Sequence, residues 1–109
     1  MKATDGELFG KRVRAARKAA KLSLEEVAEK AHTTYNHLSQ IERGTRRPSF
    51  KLIFNLARVL GVPALNFFVF DAEDTDARAV RRRVTSALEN CSIEELLRVD
   101  RFIKFVLRP

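Results

Sequence analysis

The chain is poor in residues that staple, break or bend a backbone: its 109 residues include one cysteine, four glycines and three prolines. Cys91 has no second cysteine to pair with, and neither a Cys-x-x-Cys pair nor a histidine cluster offers the spacing of a metal site. A disulfide scaffold and a metal centre are therefore not expected, and a reducing cytoplasm is the expected setting. Apolar runs are short as well. "FFVF" at 67–70 falls far below the ~20 residues that cross a bilayer, and the opening "MKATDGELFG" has no apolar stretch of the signal-peptide kind. A soluble protein with no membrane partner is expected. The last shortage is of negative charge, and it is local. Residues 1–70 hold 13 Lys and Arg against 6 Asp and Glu, whereas residues 71–109 hold 8 of each, so the whole formal +7 lies in the first stretch. Such a field suits a polyanion, through phosphate neutralisation and counterion release. Solubility and a membrane surface are the other uses of basic charge.

With few breakers, no low-complexity tract and no internal repeat, apolar residues recur at helical spacing nearly throughout, and the expected class is all-α. A first helix over 7–20 puts Phe9, Val13, Ala16 and Ala20 on one face, with Lys11, Arg12, Arg14 and Lys18 around the rest. Ser23 and Glu26 form a capping box that opens a short helix through Ala31, with Val27, Ala28 and Ala31 inward. Thr34 caps the next helix and Gly44 ends it. After the basic turn "TRRP", Ser49 starts a helix with Phe50, Ile53, Leu56, Ala57 and Leu60 inward, and Gly61 stops it. "VPALNFFVF" reads as a short closing helix whose Phe67 and Phe68 plug the base of the core. The acidic "DAEDTD", 71–76, reads as a linker. Two more helices follow, over 76–90, striped by Ala77, Val80, Val84 and Leu88, and over 93–107, opened by the Ser92/Glu95 capping box.

The stretch "TTYNHLSQIERG", 33–44, is unusual in having only Leu38 and Ile41 to anchor it. Two short helices joined by a tight turn, the second showing amides and hydroxyls near its N-terminus, form the pattern of a helix-turn-helix. A helix about 10–12 Å wide fits the ~12 Å major groove, and Asn or Gln can pair bidentately with adenine. Asn36 and Gln40 are four apart with Tyr35 adjacent, so all three can project on one side. A merely solvated helix face is the other reading of the same spacing.

Residues 8–68 resemble the Cro/C1-type (XRE-like) helix-turn-helix regulators. The resemblance rests on "RAARK" before "LSLEEVA", then "LSQIERG", "RRPS" and "LARVLGV", in order and at the right intervals. It implies a five-helix, lambda repressor-like DNA-binding domain with its third helix in the major groove of double-stranded DNA. It implies base contacts at Tyr35, Asn36 and Gln40, with His37 and Arg43 as additions. Phosphate contacts are implied at Ser23, Thr34 and Ser39 and in the basic turn at Thr45, Arg46 and Arg47. The family pattern also pairs Arg17 with Glu42. Arg17 falls on the apolar side of the first helix, where a charge needs a partner; snorkelling to solvent is the alternative. The chain departs from the pattern at His32, where the family has a turn glycine, and at Thr33, where it has a buried valine. At Leu24 the family often has a glutamine that braces a phosphate, so its base preferences do not transfer.

His32, His37 and Cys91 form no catalytic or metal constellation, so neither an enzyme nor a cofactor is expected; Cys91 continues the 77, 80, 84, 88 stripe as a buried or helix-end thiol. The last helix poses a different question. Ile93, Leu96, Leu97, Val99, Phe102, Ile103, Phe105, Val106 and Leu107 are too many for one stripe about 100° wide. The expected covers are helix 76–90 on one side and a second subunit on the other, with Ile93, Leu96, Val99, Phe102, Ile103 and Val106 in the dimer interface. Absorption of this surface by Phe54, Val69 and Phe70 is the alternative. The expected organisation is a DNA-binding domain over 1–70, the linker at 71–76 and a two-helix dimerisation element over 77–109. The expected function is a homodimeric transcriptional regulator, a repressor that reads the palindromic half-sites of an operator. The alternative is an antitoxin or anti-repressor type of module, whose last helices grip a protein partner and whose DNA binding regulates its own operon.

Overall fold

The computed structural model describes residues 3–70 and 76–107, and all regular structure among them is helical. The helices are α1 Asp5–Ala19, α2 Leu24–Lys30, α3 Tyr35–Arg43, α4 Phe50–Leu60, α5 Ala77–Leu88 and α6 Ile93–Leu107, with a 3₁₀ segment, Ala64–Phe68, between α4 and α5. The chain divides into two compact units, 1–70 and 71–109. Residues 71–75 of the expected linker lie outside the described residues, and Asp76 is the N-cap of α5.

Local chemistry sets the boundaries of the first unit. Thr4, Ser23, Thr34 and Ser49 each hold extended backbone and accept the N–H three residues on, from Glu7, Glu26, His37 and Leu52, at 3.1 Å in every case. Each side chain thus satisfies one of the donors that a helix start leaves open. Gly44 and Gly61 end α3 and α4 in the left-handed conformation, at φ 81° and 68°. The Thr4 cap starts α1 at Asp5, earlier than expected, and Ala20 lies beyond the helix and is exposed.

Phe9, Val13, Val27, Ala28, Ala31, Leu38, Ile41, Leu52, Leu56, Ala57, Leu60 and Phe67 form one core. α1 packs most extensively on α3 and on the 3₁₀ segment, and α2 on α3 and α4. Gly10 permits the first of these contacts, because a Cβ there would lie 2.4 Å and 2.5 Å from the carbonyl oxygens of Glu42 and Ile41. Two aromatic expectations fail. Phe50 is 71% exposed: it shares a side of α4 with the buried Ala57, but as the first residue of the helix it lies beyond the inward set of Leu52, Leu56, Ala57 and Leu60. Phe67 is buried, edge-on to Phe9 at 5.7 Å, but its neighbour Phe68 is 44% exposed and covers Phe9 from outside. The closing element is a 3₁₀ segment rather than an α-helix, and its tighter winding separates the two rings.

The second unit is different in kind. Asp76 caps α5 by accepting from the Arg78 N–H at 3.1 Å, and Ser92 with Glu95 caps α6 in both directions. Yet neither helix has a buried residue. On α5, Val80 and Leu88 of the expected stripe are half-buried, and Val84 is 56% exposed. Val99, Phe102 and Val106 are half-buried, while Leu96, Ile103 and Leu107 on the adjoining strip of α6 are exposed, as are Ile93 at 69% and Phe105 at 75%. Cys91 follows α5, with its thiol 3.7 Å from the Ala87 carbonyl.

Candidate nucleic-acid interface

α2, the turn at 31–34 and α3 form the helix-turn-helix, and two devices fix α3 in place. One is the close backbone contact at Gly10. The other is a bidentate pair in which Arg17 Nε donates to Glu42 Oε2 at 2.8 Å and Nη2 donates to Oε1 at 3.0 Å. Arg17 Nη1 donates to the Leu22 carbonyl at 3.0 Å, and the two side chains are only 11% and 6% exposed. The hydrogen bonds to Glu42 raise the Arg17 pKa above its ordinary value against the opposing effect of burial. Arg17 therefore does not snorkel, and the pair orients α3 by its planar fork.

The turn itself holds His32 at φ 61°, with Thr33 N–H donating to the Ala28 carbonyl at 2.9 Å. A left-handed residue other than glycine costs about 1–2 kcal/mol, and histidine is among the side chains that adopt it more readily. Lys21, at φ 60°, makes the corresponding bend between α1 and α2, where Leu22 N–H donates to the Arg17 carbonyl at 3.2 Å. Nothing in the sequence marks Lys21 for this, because the ring closes through backbone groups alone.

With Leu38 and Ile41 buried, helical geometry sets the opposite face of α3. Asn36, Ser39, Gln40 and Arg43 follow i, i+3, i+4, i+7 and share that face, with Tyr35 and His37 on its two flanks. Tyr35, Asn36 and Arg43 are exposed; His37, Ser39 and Gln40 are half-buried. Arg43 Nε is tethered to the Ser39 carbonyl at 3.3 Å. The hydroxyls differ in what they have left to offer. Thr34 accepts a cap hydrogen bond and keeps its own O–H to donate, the Ser23 hydroxyl accepts from the Glu26 N–H and also faces the Glu26 carboxylate, and Thr45 directs both its N–H and its O–H at the Gln40 carbonyl. Arg46 and Arg47 are exposed on the turn after α3.

A groove lies on either side of this face. One, of about 310 Å³, is lined by Arg14, Arg17, Leu24, Ser39, Glu42 and Arg43. The other, of about 250 Å³, has Thr33, His37, Ser49, Lys51 and Asn55 among its lining residues. Arg14, Lys51 and Asn55 were not among the site residues expected from sequence. Lys51 carried a legible signal, since it sits in the first turn of α4, where the macrodipole disfavours a cation. Asn55 carried none; its amide donates to the Ala31 carbonyl at 3.2 Å, a contact made by the fold. Among the described residues, no group of His, Cys, Asp and Glu could hold a metal ion.

The helix-turn-helix family model matches residues 13–66. The transcriptional regulator ClgR of Mycobacterium tuberculosis is 35% identical over 75 residues, 69% of this chain and 66% of its own length. The restriction-modification controller protein C.AhdI of Aeromonas hydrophila has a solved structure similar at a TM-score of 0.57 and 33% identity, covering 59% of this chain and 97% of that one. A solved complex of the SinR and SinI proteins is similar at a TM-score of 0.56 and 26% identity, covering 89% of this chain and 95% of that one. The chain spans between 28% and 66% of the length of the curated relatives it matches. With α3 seated by Arg17 and Glu42 behind a left-handed turn, and with C.AhdI matched over nearly its whole length, this chain belongs to the Cro/C1-type helix-turn-helix family of transcriptional regulators.

Proposed function

We propose that the protein is a homodimeric transcriptional repressor that reads palindromic half-sites of an operator in the major groove. The observation that carries the reading is the construction of α3: two buried anchors on one side, and Asn36, Ser39, Gln40 and Arg43 together on the other, between two grooves with basic linings. Tyr35, Asn36 and Gln40 read base edges, with His37 and Arg43 beside them. Ser23, Thr34, Ser39, Arg46 and Arg47 hold phosphates on either side, joined by Arg14 and Lys51; Thr45 joins them only by releasing the Gln40 carbonyl. The protein acts on DNA in the cytoplasm, and no described helix is long and apolar enough to cross a membrane.

Pairing through α6 supports the same reading. The exposed strip of Ile93, Leu96 and Ile103, beside the half-buried Val99, Phe102 and Val106, gives a second copy an apolar face to cover. Two readers on one twofold axis address half-sites about 34 Å apart. A heterologous protein partner is the second reading, favoured by the likeness to a two-protein complex that extends over 89% of this chain.

Selection of bound sequences from a random duplex library, followed by light scattering of the pure protein with and without the selected DNA, tests the proposal. A two-fold symmetric consensus and a stable dimer are expected. A single asymmetric half-site bound by a monomer would overturn the homodimer, and no enriched sequence would overturn base reading.

A further inference from the structure

The net zero charge of residues 71–109 conceals a strong internal separation. α5, "ARAVRRRVTSAL", carries four arginines and no acidic residue, and its first and last turns invert the usual arrangement, with Arg78 in the first and no basic residue in the last. The macrodipole disfavours a cation at that end, and arginines three or four positions apart repel one another. Both effects work against the helix, and at its start the Asp76 carboxylate, which accepts from the Arg78 N–H, offsets part of the first.

Geometry says where these arginines lie. Arg78, Arg81, Arg82, Thr85 and Ser86 follow i, i+3, i+4, i+7, i+8 and line one open concavity of about 530 Å³, with Glu89 at its far end. All these side chains are exposed. The stripe of Val80, Val84 and Leu88 adjoins the arginine stripe along Arg81, so covering it would leave Arg78, Arg82 and Ser86 open to solvent. From Arg78 to Ser86 the stripe runs about 12 Å along the helix, at 1.5 Å per residue. A DNA strand presents a charge about every 3.4 Å of its axis, so the stripe spans several phosphates.

We propose that the arginine face of α5 is a second, sequence-independent contact with duplex DNA, binding backbone phosphates outside the half-site read by α3. The inference rests on the DNA-binding reading above and extends it to the C-terminal unit. Guanidinium groups supply the paired N–H donors that phosphate oxygens accept, and the hydroxyls of Thr85 and Ser86 add donors on the same stripe.

The test is a salt titration of the full chain on a random-sequence duplex and on the selected operator. Arg81→Gln with Arg82→Gln should lower the slope of log affinity against log salt by about 1.8 per bound chain, equivalent to roughly 60-fold weaker binding at 0.1 M salt, on both DNAs alike. Arg81→Lys with Arg82→Lys should keep the slope. Glutamine is a good helix former and removes repulsion, so circular dichroism should show undiminished helix. An unchanged slope with helix intact would overturn the inference. So would loss of the dimer in light scattering with the slope unchanged, because the arginines would then serve a protein contact. The DNA-binding reading fails separately: there, the unsubstituted protein would show no salt-dependent binding to either duplex.

Discussion

The two units are both helical and both well capped, yet only one has a core. In residues 3–70 the polar caps and the apolar stripes serve the same end, because each boundary lets a helix deliver side chains such as Val13, Leu38 and Leu56 to a common interior. In residues 76–107 the same local devices build two helices with no buried residue. Capping and periodicity therefore specify a helix, while burial depends on what else is present to cover it. The first unit supplies its own cover. The second leaves Ile93 and Phe105 of α6 and the arginines of α5 exposed.

The sharpest way to break this comparison is to place a charge on α6. Ile103→Glu alters no residue of the first unit's core, so the thermal transition of that core should not move. If the exposed strip is the pairing surface, the dimer should dissociate, and operator affinity should fall by about two to four orders of magnitude, the benefit of tethering two half-site readers. Light scattering and fluorescence anisotropy on the same sample read both quantities. Full operator affinity in an intact dimer would move the pairing surface elsewhere.

Comparing the ion pairs gives the next largest effect. Arg17–Glu42 is shielded and bidentate; Lys104–Asp100 in α6, at 3.0 Å, has side chains 71% and 55% exposed. Arg17→Met should cost about 3–5 kcal/mol, because it strands Glu42, and adding Glu42→Leu should recover much of the loss. Lys104→Ala should cost only about 0.3–0.5 kcal/mol, as exposed i,i+4 pairs do. Chemical denaturation of Arg17→Met, Glu42→Leu and the double variant measures the first pair, and thermal circular dichroism of α6 reads Lys104→Ala. Additive losses at Arg17 and Glu42 would show that their contact carries no coupling.

What was legible in the sequence follows the same division. The caps at Ser23, Thr34, Ser49 and Ser92 and the stops at Gly44 and Gly61 are local signals, and each lies where the residues placed it. The Arg17–Glu42 contact was visible only through the family pattern, since the two residues are 25 positions apart. The closeness of α1 to α3 at Gly10 and the left-handed Lys21 were not legible, because both depend on backbone from another element or turn. Phe50 was misplaced although it is in phase with Ala57, because it is the first residue of α4 and phase says nothing of where along a helix the core ends. The arginine stripe of α5 disappeared in a net charge of zero.

Substitution on the outer face of α3 should separate reading from folding. Asn36→Ala and Gln40→Ala should each weaken operator binding by about 1–3 kcal/mol and leave affinity for random duplex nearly unchanged. Neither residue belongs to the core, so stability should be retained. Equal losses on operator and random DNA would show that this face does not read bases.

The smallest expected effect compares one motif in two settings. Ser23 with Glu26, and Ser92 with Glu95, form the same reciprocal cap, with hydrogen bonds of 3.0 to 3.2 Å. In both, the backbone N–H of the serine, followed by its hydroxyl, holds the glutamate pKa below its ordinary value. A depressed folded-state pKa contributes stability that is present above the unfolded glutamate pKa and lost as pH falls through the folded one. Acidification below the ordinary glutamate range should therefore loosen both caps, and Ser23→Ala or Ser92→Ala should make each helix start less sensitive to pH. The readouts differ because the surroundings do. α2 is tied to the core through Val27 and Ala28, so Ser23→Ala should lower the stability of the whole first unit by about 1 kcal/mol in one cooperative transition. α6 has no buried residue, so Ser92→Ala should leave that transition in place. Its loss should appear as fraying, with faster amide hydrogen exchange in the first turn of α6. A shift of the first unit's transition by Ser92→Ala would show that the two units fold as one.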